Sequence, residues 1–392
     1  MSNSPERVEP AERVEPVETA QRVEPAERVE PVETPFTKLP GAVGGPPEHY
    51  GNPLGEQRAL AAGEAVVDLS DRGVITVTGP DRLTWLDSLT SQALTGLTPG
   101  DSTETLQLDP TGRVEFAMRV VDDGATTWLL VDGPQAAPLQ AWLDRMRFML
   151  RVEVADVSAD YATIGSLGLP VDGAAVVWND PWNSVAVGGH QYSGRAAYDW
   201  SYSESLVKRV ELVETVGALV STGSTRSAGS TRSAAGTLAL EALRIAAWRP
   251  RLSAEVDERT IPHELDWLRS AVHLSKGCYR GQETVAKVHN LGHPPRRLVM
   301  LHIDGSDGVL PKHGDVVEAG DAAVGVVTSA ALHFELGPIA LAVIKRSVDP
   351  ALTLTIVADG ARLAAAQEII VPTDAGAEAN VPRLPRLGAV QR

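Results

Sequence analysis

LVMLHI (298–303), DVVEA (315–319), AVGVVTSAA (323–331), IALAVI (339–344) and LTLTIV (352–357) follow one another late in the chain, separated by Gly, Pro and Asp. Each is a short apolar, β-branched run bounded by turn formers, the pattern of a strand. Five or six such strands in so short a span predict a small closed or nearly closed β barrel over residues 297–372. The last residues, 373–392, have little pattern and read as a loose tail.

Upstream, the pattern mixes strands with helices. VITVT (74–78) alternates and runs into Gly-Pro-Asp, with Asp81 the predicted cap of a helix carrying Leu83, Leu86 and Leu89. Residues 103–108 and 113–121 read as strands flanking the turn Asp109-Pro110-Thr111-Gly112, and 126–131 as a third. A helix from about Pro134 carries Leu139, Trp142, Leu143, Met146 and Met149, after which 152–157 returns as a strand. LALEALRIAAWRP (238–250) reads as a helix stopped by Pro250. This order predicts an α+β class rather than a doubly wound sheet. The expected division is a first α+β domain over 48–160, a second over 161–296, and the barrel.

Two segments stand apart. RVEPAERVEPVET occurs at 7–19 and again at 22–34, and residues 1–35 hold nine Glu, four Arg and no aromatic residue before the proline at 35. Such a stretch buries too little apolar area to offset its ordering entropy, so a disordered extension is expected. GSTRSA repeats in tandem at 223–228 and 229–234, behind a related RVELVET at 209–215. Gly, Ser and Thr at this density predict a flexible insertion over about 203–236.

The 392 residues carry 35 basic and 51 acidic side chains, a net charge of −16. That balance argues against a non-specific nucleic-acid surface. No apolar run reaches the roughly 20 residues that span a bilayer, and MSNSPERVEP lacks the apolar core of a signal peptide. A single cysteine, Cys278, excludes an intrachain disulfide and a four-thiolate cluster. A cytoplasmic protein with no membrane partner and no resident metal is expected.

Reactive groups concentrate in LSKGCYRGQETVAKVHNLGHPPRR (274–297). Lys276 and Arg280 stand two residues either side of Cys278, and nearby positive charge favours the thiolate, the nucleophilic form. Gly277 and Gly281 permit positive φ and close backbone approach. A lone cysteine is also commonly a small buried hydrophobe, so both readings stand. Seven of nine histidines fall between 263 and 333, but Gly292 and Pro294 break the helix that a His289–His293 zinc pair would need. Arg280, Lys287, Arg296 and Arg297 offer a local basic patch, solvated or facing anionic groups.

KGCYRGQE (276–283) resembles the signature of the YgfZ-type folate-binding proteins, paralogues of the glycine-cleavage aminomethyltransferase implicated in iron–sulfur cluster assembly or repair. ITVTGPDRLTWLDSLTSQ (75–92), RFMLRVEVADVS (147–158), LEALRIAAWRPR (240–251) and TIPHELDWLRSAVHLSKGC (260–278) resemble further blocks of that family, in family order. The resemblance covers about 48–372 without the 203–236 segment. It implies a three-part cloverleaf, two α+β units and the barrel, around a central folate hole. It makes Cys278 the signature residue, within a motif completed by Gly277, Tyr279, Arg280, Gly281, Gln282 and Glu283, and Lys276, by its charge, joins Cys278 as the expected catalytic pair. It implies tetrahydrofolate or a derivative as cofactor, with Arg244 matching the arginine that holds the folate glutamate tail and Glu264 a second pocket residue. An Arg244 paired with Glu241 on a helix face, and an exposed Glu264, are the plain alternatives.

The chain also departs from the aminomethyltransferase pattern. Phe116 and Ala117 stand where paired aspartates are expected, with only Glu115 nearby, on the other strand face from Phe116. Trp248 replaces a small residue. The implied function is a folate-binding accessory protein serving iron–sulfur client or assembly proteins, including tRNA-modifying enzymes. A folate-dependent aminomethyl or one-carbon transferase and a non-catalytic scaffold are the alternatives.

Overall fold

The computed structural model describes residues 33–194, 199–220 and 232–379. A five-stranded sheet runs in the order Ser102–Leu108, Val114–Asp122, Thr126–Val131, Gly73–Thr78, Glu153–Asp156, every pair antiparallel. Helices Arg82–Leu89 and Ala136–Met146 pack on one face of it, where Ile75, Val77, Met118, Val120 and Leu129 meet Trp85, Leu139 and Leu143. The helix after Pro134 ends at Met146, so Met149 lies beyond it, exposed. Asp81 does not cap its helix through its side chain. Its carboxylate instead accepts from the backbone and guanidinium of Arg151.

The second sheet runs Val176–Asn179, Tyr202–Lys208, Tyr161–Leu167, Ala65–Asp68, Ser233–Ala235. Its last pair is parallel. Two expectations fail here. Residues 203–236 are not one flexible insertion: Tyr202–Lys208 lies inside the sheet, Leu212–Leu219 is a helix and Ser233–Ala235 is a strand, while 221–231 lie outside the described residues. The strand YSESLVK looks like a loop because it is polar, yet in the interior its hydroxyls are hydrogen-bonded and its carboxylate is paired with Arg72 and Arg119. Ser203 and Ser166 hydroxyls meet at 3.1 Å, and the Ser205 hydroxyl accepts from Val171 N at 3.0 Å. The domain boundary at 48 also fails, because Ala65–Asp68 belongs to the second sheet.

Most of the extension expected over 1–35 lies outside the described residues. Its end is ordered, with Thr34 buried and donating to Asp68 at 2.6 Å, and just beyond it Phe36 is fully buried against Val66, Ala162, Ile164 and Val207. Similarly, of the expected tail, Ala375 is buried and Glu378 N donates to His289 O, whereas 380–392 lie outside the described residues.

The C-terminal strands close as expected. Six antiparallel strands form a barrel in the order Arg296–Ile303, Gly337–Lys345, Ala322–His333, Val316–Ala319, Leu354–Ala358, Ala361–Ile369 and back to the first. Alternation splits the first strand between two cores: Val299, Leu301 and Ile303 fill the barrel, while Leu298 and Met300 join the central cluster. That cluster draws on both sheets and the barrel, through Trp128, Trp178, Trp182, Trp248, Leu268 and Leu341 among others. Among the described residues no helix is long and apolar enough to cross a membrane.

Candidate ligand cavity and cysteine loop

A cavity of about 370 Å³ opens where the sheets, the hairpin around Gly45–Glu48 and the helix Thr237–Ala246 meet. Arg72, Arg119, Arg244, Arg249 and Arg251 line it, against Glu48, Asp71, Asp180 and Glu241. Strand parity explains Arg119: Met118 and Val120 enter the helix-covered core, so Arg119 takes the opposite face. Gly236 brings the helix hard against the hairpin, for a Cβ there would lie 2.0 Å from Glu48 O. Trp200 and Tyr202 form an aromatic wall, their rings stacked with centroids 4.9 Å apart.

The arginines are held by buried carboxylates. Arg72 pairs with Asp132 and donates to Glu204 Oε1 at 3.2 Å, and Arg119 Nε lies 3.4 Å from the same oxygen. Burial pushes the Glu204 carboxyl up, but Arg119 and Arg72 outweigh it and leave the group below its ordinary value. Arg249 donates to Asp180 Oδ2 at 2.9 Å and Glu104 Oε2 at 2.6 Å. Asp180 is so deeply buried that its carboxyl is raised despite Arg249. These pairs do not exhaust the donors. Arg72 Nε, Arg249 Nη1 and Arg251 Nε are buried with no partner.

Arg244 lines this cavity but differs from its neighbours. Its Nε donates to Glu241 at 3.0 Å, and Nη1 donates to Arg249 O and Glu255 Oε2, both at 2.9 Å. Nη2 donates to Ser329 Oγ at 2.6 Å and again to Glu241. With every nitrogen engaged, Arg244 joins its helix to the barrel. Glu264 is neither exposed nor in the cavity wall. It is fully buried and accepts three times from Arg296, at 3.2, 3.1 and 2.7 Å.

Cys278 is exposed and does not line the cavity. Lys276 does not spend its charge on the thiol. Its ammonium is buried and donates to three carbonyls, Asp87 O at 2.5 Å, Thr90 O at 2.9 Å and Gln92 O at 2.7 Å, fastening the loop to the first sheet's helix end. Tyr279 is buried, and burial pushes its phenol up. Gln282 Nε2 closes the loop on Lys276 O at 3.3 Å, and Glu283 is exposed in the first turn of helix Gln282–Leu291. Gly281 has φ 84°, whereas Gly277 does not need positive φ. Arg280 reaches Glu115 at 3.5 Å.

Ala117 sits on the strand face shared with Arg119, and it borders a void of about 20 Å³ beside Arg249 and Asp132. Phe116 packs on the opposite, helix-covered face. Glu115, on the same face as Ala117, accepts from Gln107 at 2.8 Å as well as from Arg280. Trp248 is buried in the central cluster rather than in the cavity wall. The expected basic patch is dispersed, because Arg296 is paired with Asp257 and Glu264 while Arg297 is buried in the barrel strand. His293 bonds Ala375 O and His289 faces His190; among the described residues no group of His, Cys, Asp and Glu is placed to hold a metal ion.

Residues 296–372 match the glycine cleavage T-protein C-terminal barrel domain. The crystal structure of the glycine cleavage system aminomethyltransferase T from Bartonella henselae superposes with a TM-score of 0.63 at 17% identity, covering 83% of this chain and 91% of that one. The chain has an aminomethyltransferase-like fold. In sequence it is 26% identical over 325 residues to the aminomethyltransferase of Saccharopolyspora erythraea, a match over 79% of this chain and 87% of the relative. It is also 26% identical over 301 residues to a chloroplastic "Putative transferase" of Arabidopsis thaliana, covering 71% of this chain and 66% of that protein's length. Within this fold, Arg72, Arg119, Trp200 and Tyr202 carry no sequence signal of their own. A charged residue in an alternating strand reads as solvent-facing. Arg249 and Arg251, by contrast, stand in the same block as Arg244.

Proposed function

We propose that this chain is a cytoplasmic folate-binding accessory protein that supports iron–sulfur cluster assembly or repair, including that of tRNA-modifying enzymes, rather than a conventional aminomethyltransferase. The observation that carries the reading is the cavity's combination of a stacked aromatic wall with five lining arginines. A reduced folate is a planar ring joined to an anionic glutamate tail. Trp200 and Tyr202 fit the first part, and the cationic side chains of Arg72, Arg119, Arg249 and Arg251 fit the second. The cavity's size falls within the roughly 300–1,000 Å³ of small-molecule sites. When bound, the folate would supply a carrier for one-carbon units. Arg244 braces the wall without a donor to spare.

Cys278 supplies the reading's chemical group. One thiolate cannot hold a cluster alone, but it can attack a client's disulfide, forming a mixed disulfide and releasing the client's other sulfur as thiolate, or lend one ligand at a shared interface. The name of the Saccharopolyspora erythraea relative favours aminomethyl transfer as a second reading. Against it stands Ala117, which has no proton to exchange, and Glu115, already held by Gln107 and Arg280.

Calorimetric titration with tetrahydrofolate, with Cys278 alkylation followed in parallel, tests both halves. Arg72→Lys and Arg249→Lys keep the charge but lose the fork, and each should weaken binding at least tenfold. Cys278→Ser should bind folate normally yet fail to restore an iron–sulfur enzyme in a strain lacking this protein. Absence of folate binding removes the first half, and full complementation by Cys278→Ser removes the second. Turnover of a methylene or aminomethyl donor would establish the transferase reading instead.

A further inference from the structure

Two acceptors in the cavity wall are left open. Asp132 and Glu204 stand behind Arg72 and Arg119, Asp180 and Glu104 behind Arg249, and Glu241 and Glu255 behind Arg244. Glu241 also lies 3.4 Å from Arg251. Glu48 and Asp71 line the same cavity, with no hydrogen bond or ion pair to either carboxylate among the described residues. Arg72 feels Asp71 only as a charge at longer range. Both acidic residues are exposed, so they stand at the mouth.

Each is carried on pinned backbone. Glu48 belongs to the hairpin of strands Val43–Gly44 and Pro47–His49, which pairs with neither large sheet. The Glu56 carboxylate ties that hairpin down: Oε1 accepts from Tyr50 N at 2.8 Å and Asn52 N at 3.1 Å, and Oε2 from Gly236 N at 2.9 Å. Asp71 lies in the turn that Arg72 N closes on Leu69 O at 2.9 Å, and a Cβ on Gly133 would fall 2.2 Å from Asp71 O. Groups presented from fixed backbone cost a ligand little further ordering.

An ionised carboxylate only accepts, through two oxygens side by side. Its fitting partner is a flat edge with two neighbouring N–H groups, which it takes up bidentately. Beside the stacked rings of Trp200 and Tyr202, the amino-pyrimidinone end of a pterin has that form, because its amino group and the adjoining ring N–H point the same way. We propose that Glu48 and Asp71 determine the specificity of the cavity. One accepts this edge at the mouth, the other accepts the remaining N–H of the amino group, and rings without the amino group are rejected. The proposal rests on the folate reading and adds to it the residues that choose the ring. A plain solvated rim makes no such choice.

Calorimetric titration of the full chain with tetrahydrofolate tests it, with tetrahydropterin, tetrahydrolumazine and p-aminobenzoylglutamate as competitors. The first two competitors differ only in the amino group, which is a carbonyl in the lumazine, and the third is the tail without the ring. Glu48→Gln and Asp71→Asn should each weaken tetrahydrofolate binding roughly fivefold or more, the worth of one hydrogen bond, without lowering the melting temperature. The parent should prefer tetrahydropterin to tetrahydrolumazine at least tenfold, and the double variant should lose that preference. Competition by p-aminobenzoylglutamate should be the same in parent and variants. Parent-like affinity in both single variants, or a preference that survives in the double variant, overturns the proposal and leaves the folate reading standing. So does loss of the tail fragment along with the ring, which would trace the effect to a deformed cavity. No binding of tetrahydrofolate by the parent overturns the folate reading and the proposal with it.

Discussion

Arg244 shows how a residue can stand in a ligand cavity and be unavailable to the ligand. Its donors already serve Glu241, Glu255, Ser329 and the Arg249 carbonyl. Arg244→Met should lower unfolding free energy by about 3–5 kcal/mol in denaturant titrations, because Glu255 is left buried without its cation. Its neighbour Glu241 gives a pH signature. Burial raises the Glu241 carboxyl, but Arg244 and Arg251 pull it down from 4.5 to about 2. A depressed folded-state value means that stability is fully present above the unfolded value of 4.5 and is lost as pH falls towards about 2. Glu241→Gln should therefore be less stable than the parent at neutral pH, and the gap should close across that window. A gap independent of pH, measured by denaturant melts at a series of pH values, would separate Glu241 from the ion-pair network.

At the scale of elements, the cysteine loop depends on one glycine and not the other. A Cβ on Gly281 would lie 2.7 Å from Asp109 O, at a φ of 84°, whereas nothing lies within 4 Å of one on Gly277. Gly281→Ala should cost roughly 1–3 kcal/mol, and Gly277→Ala should stay within about 0.5 kcal/mol. Thermal melts of the pair check this, and equal losses would contradict the placement. The sequence pattern marks both glycines alike, since it does not report which φ the loop adopts. The barrel was legible because its strands alternate and face two apolar cores. Tyr202–Lys208 was not, since Glu204 is buried against Arg72 and Arg119, two partners distant in sequence. The same limit applies to the cavity. Arg244 was visible within a motif and Arg249, in the same block, was not singled out, whereas Lys276 looked like a thiol activator until its carbonyl acceptors on Asp87, Thr90 and Gln92 were placed.

Across the whole molecule, the ordered chain starts its contribution before the first sheet. Phe36 is fully buried, and the Thr34 hydroxyl donates to Asp68 at 2.6 Å. A chain beginning at Thr37 should lose about 3–5 kcal/mol relative to one beginning at Glu33, the range for deleting a buried phenylalanine side chain. Equal melting temperatures for the two would place Phe36 outside the core.

The second sheet also imposes a timetable on synthesis. Ala65–Asp68 finds its neighbours only in Tyr161–Leu167 and Ser233–Ala235, whereas the first sheet is complete within 73–156. A ribosome therefore delivers a finished first sheet while Ala65–Asp68 still waits with both edges open. Unpaired edges are templates for association with other chains. Until Ser233 leaves the exit tunnel, this strand is where a holding chaperone would act, and where prematurely terminated chains would begin to aggregate.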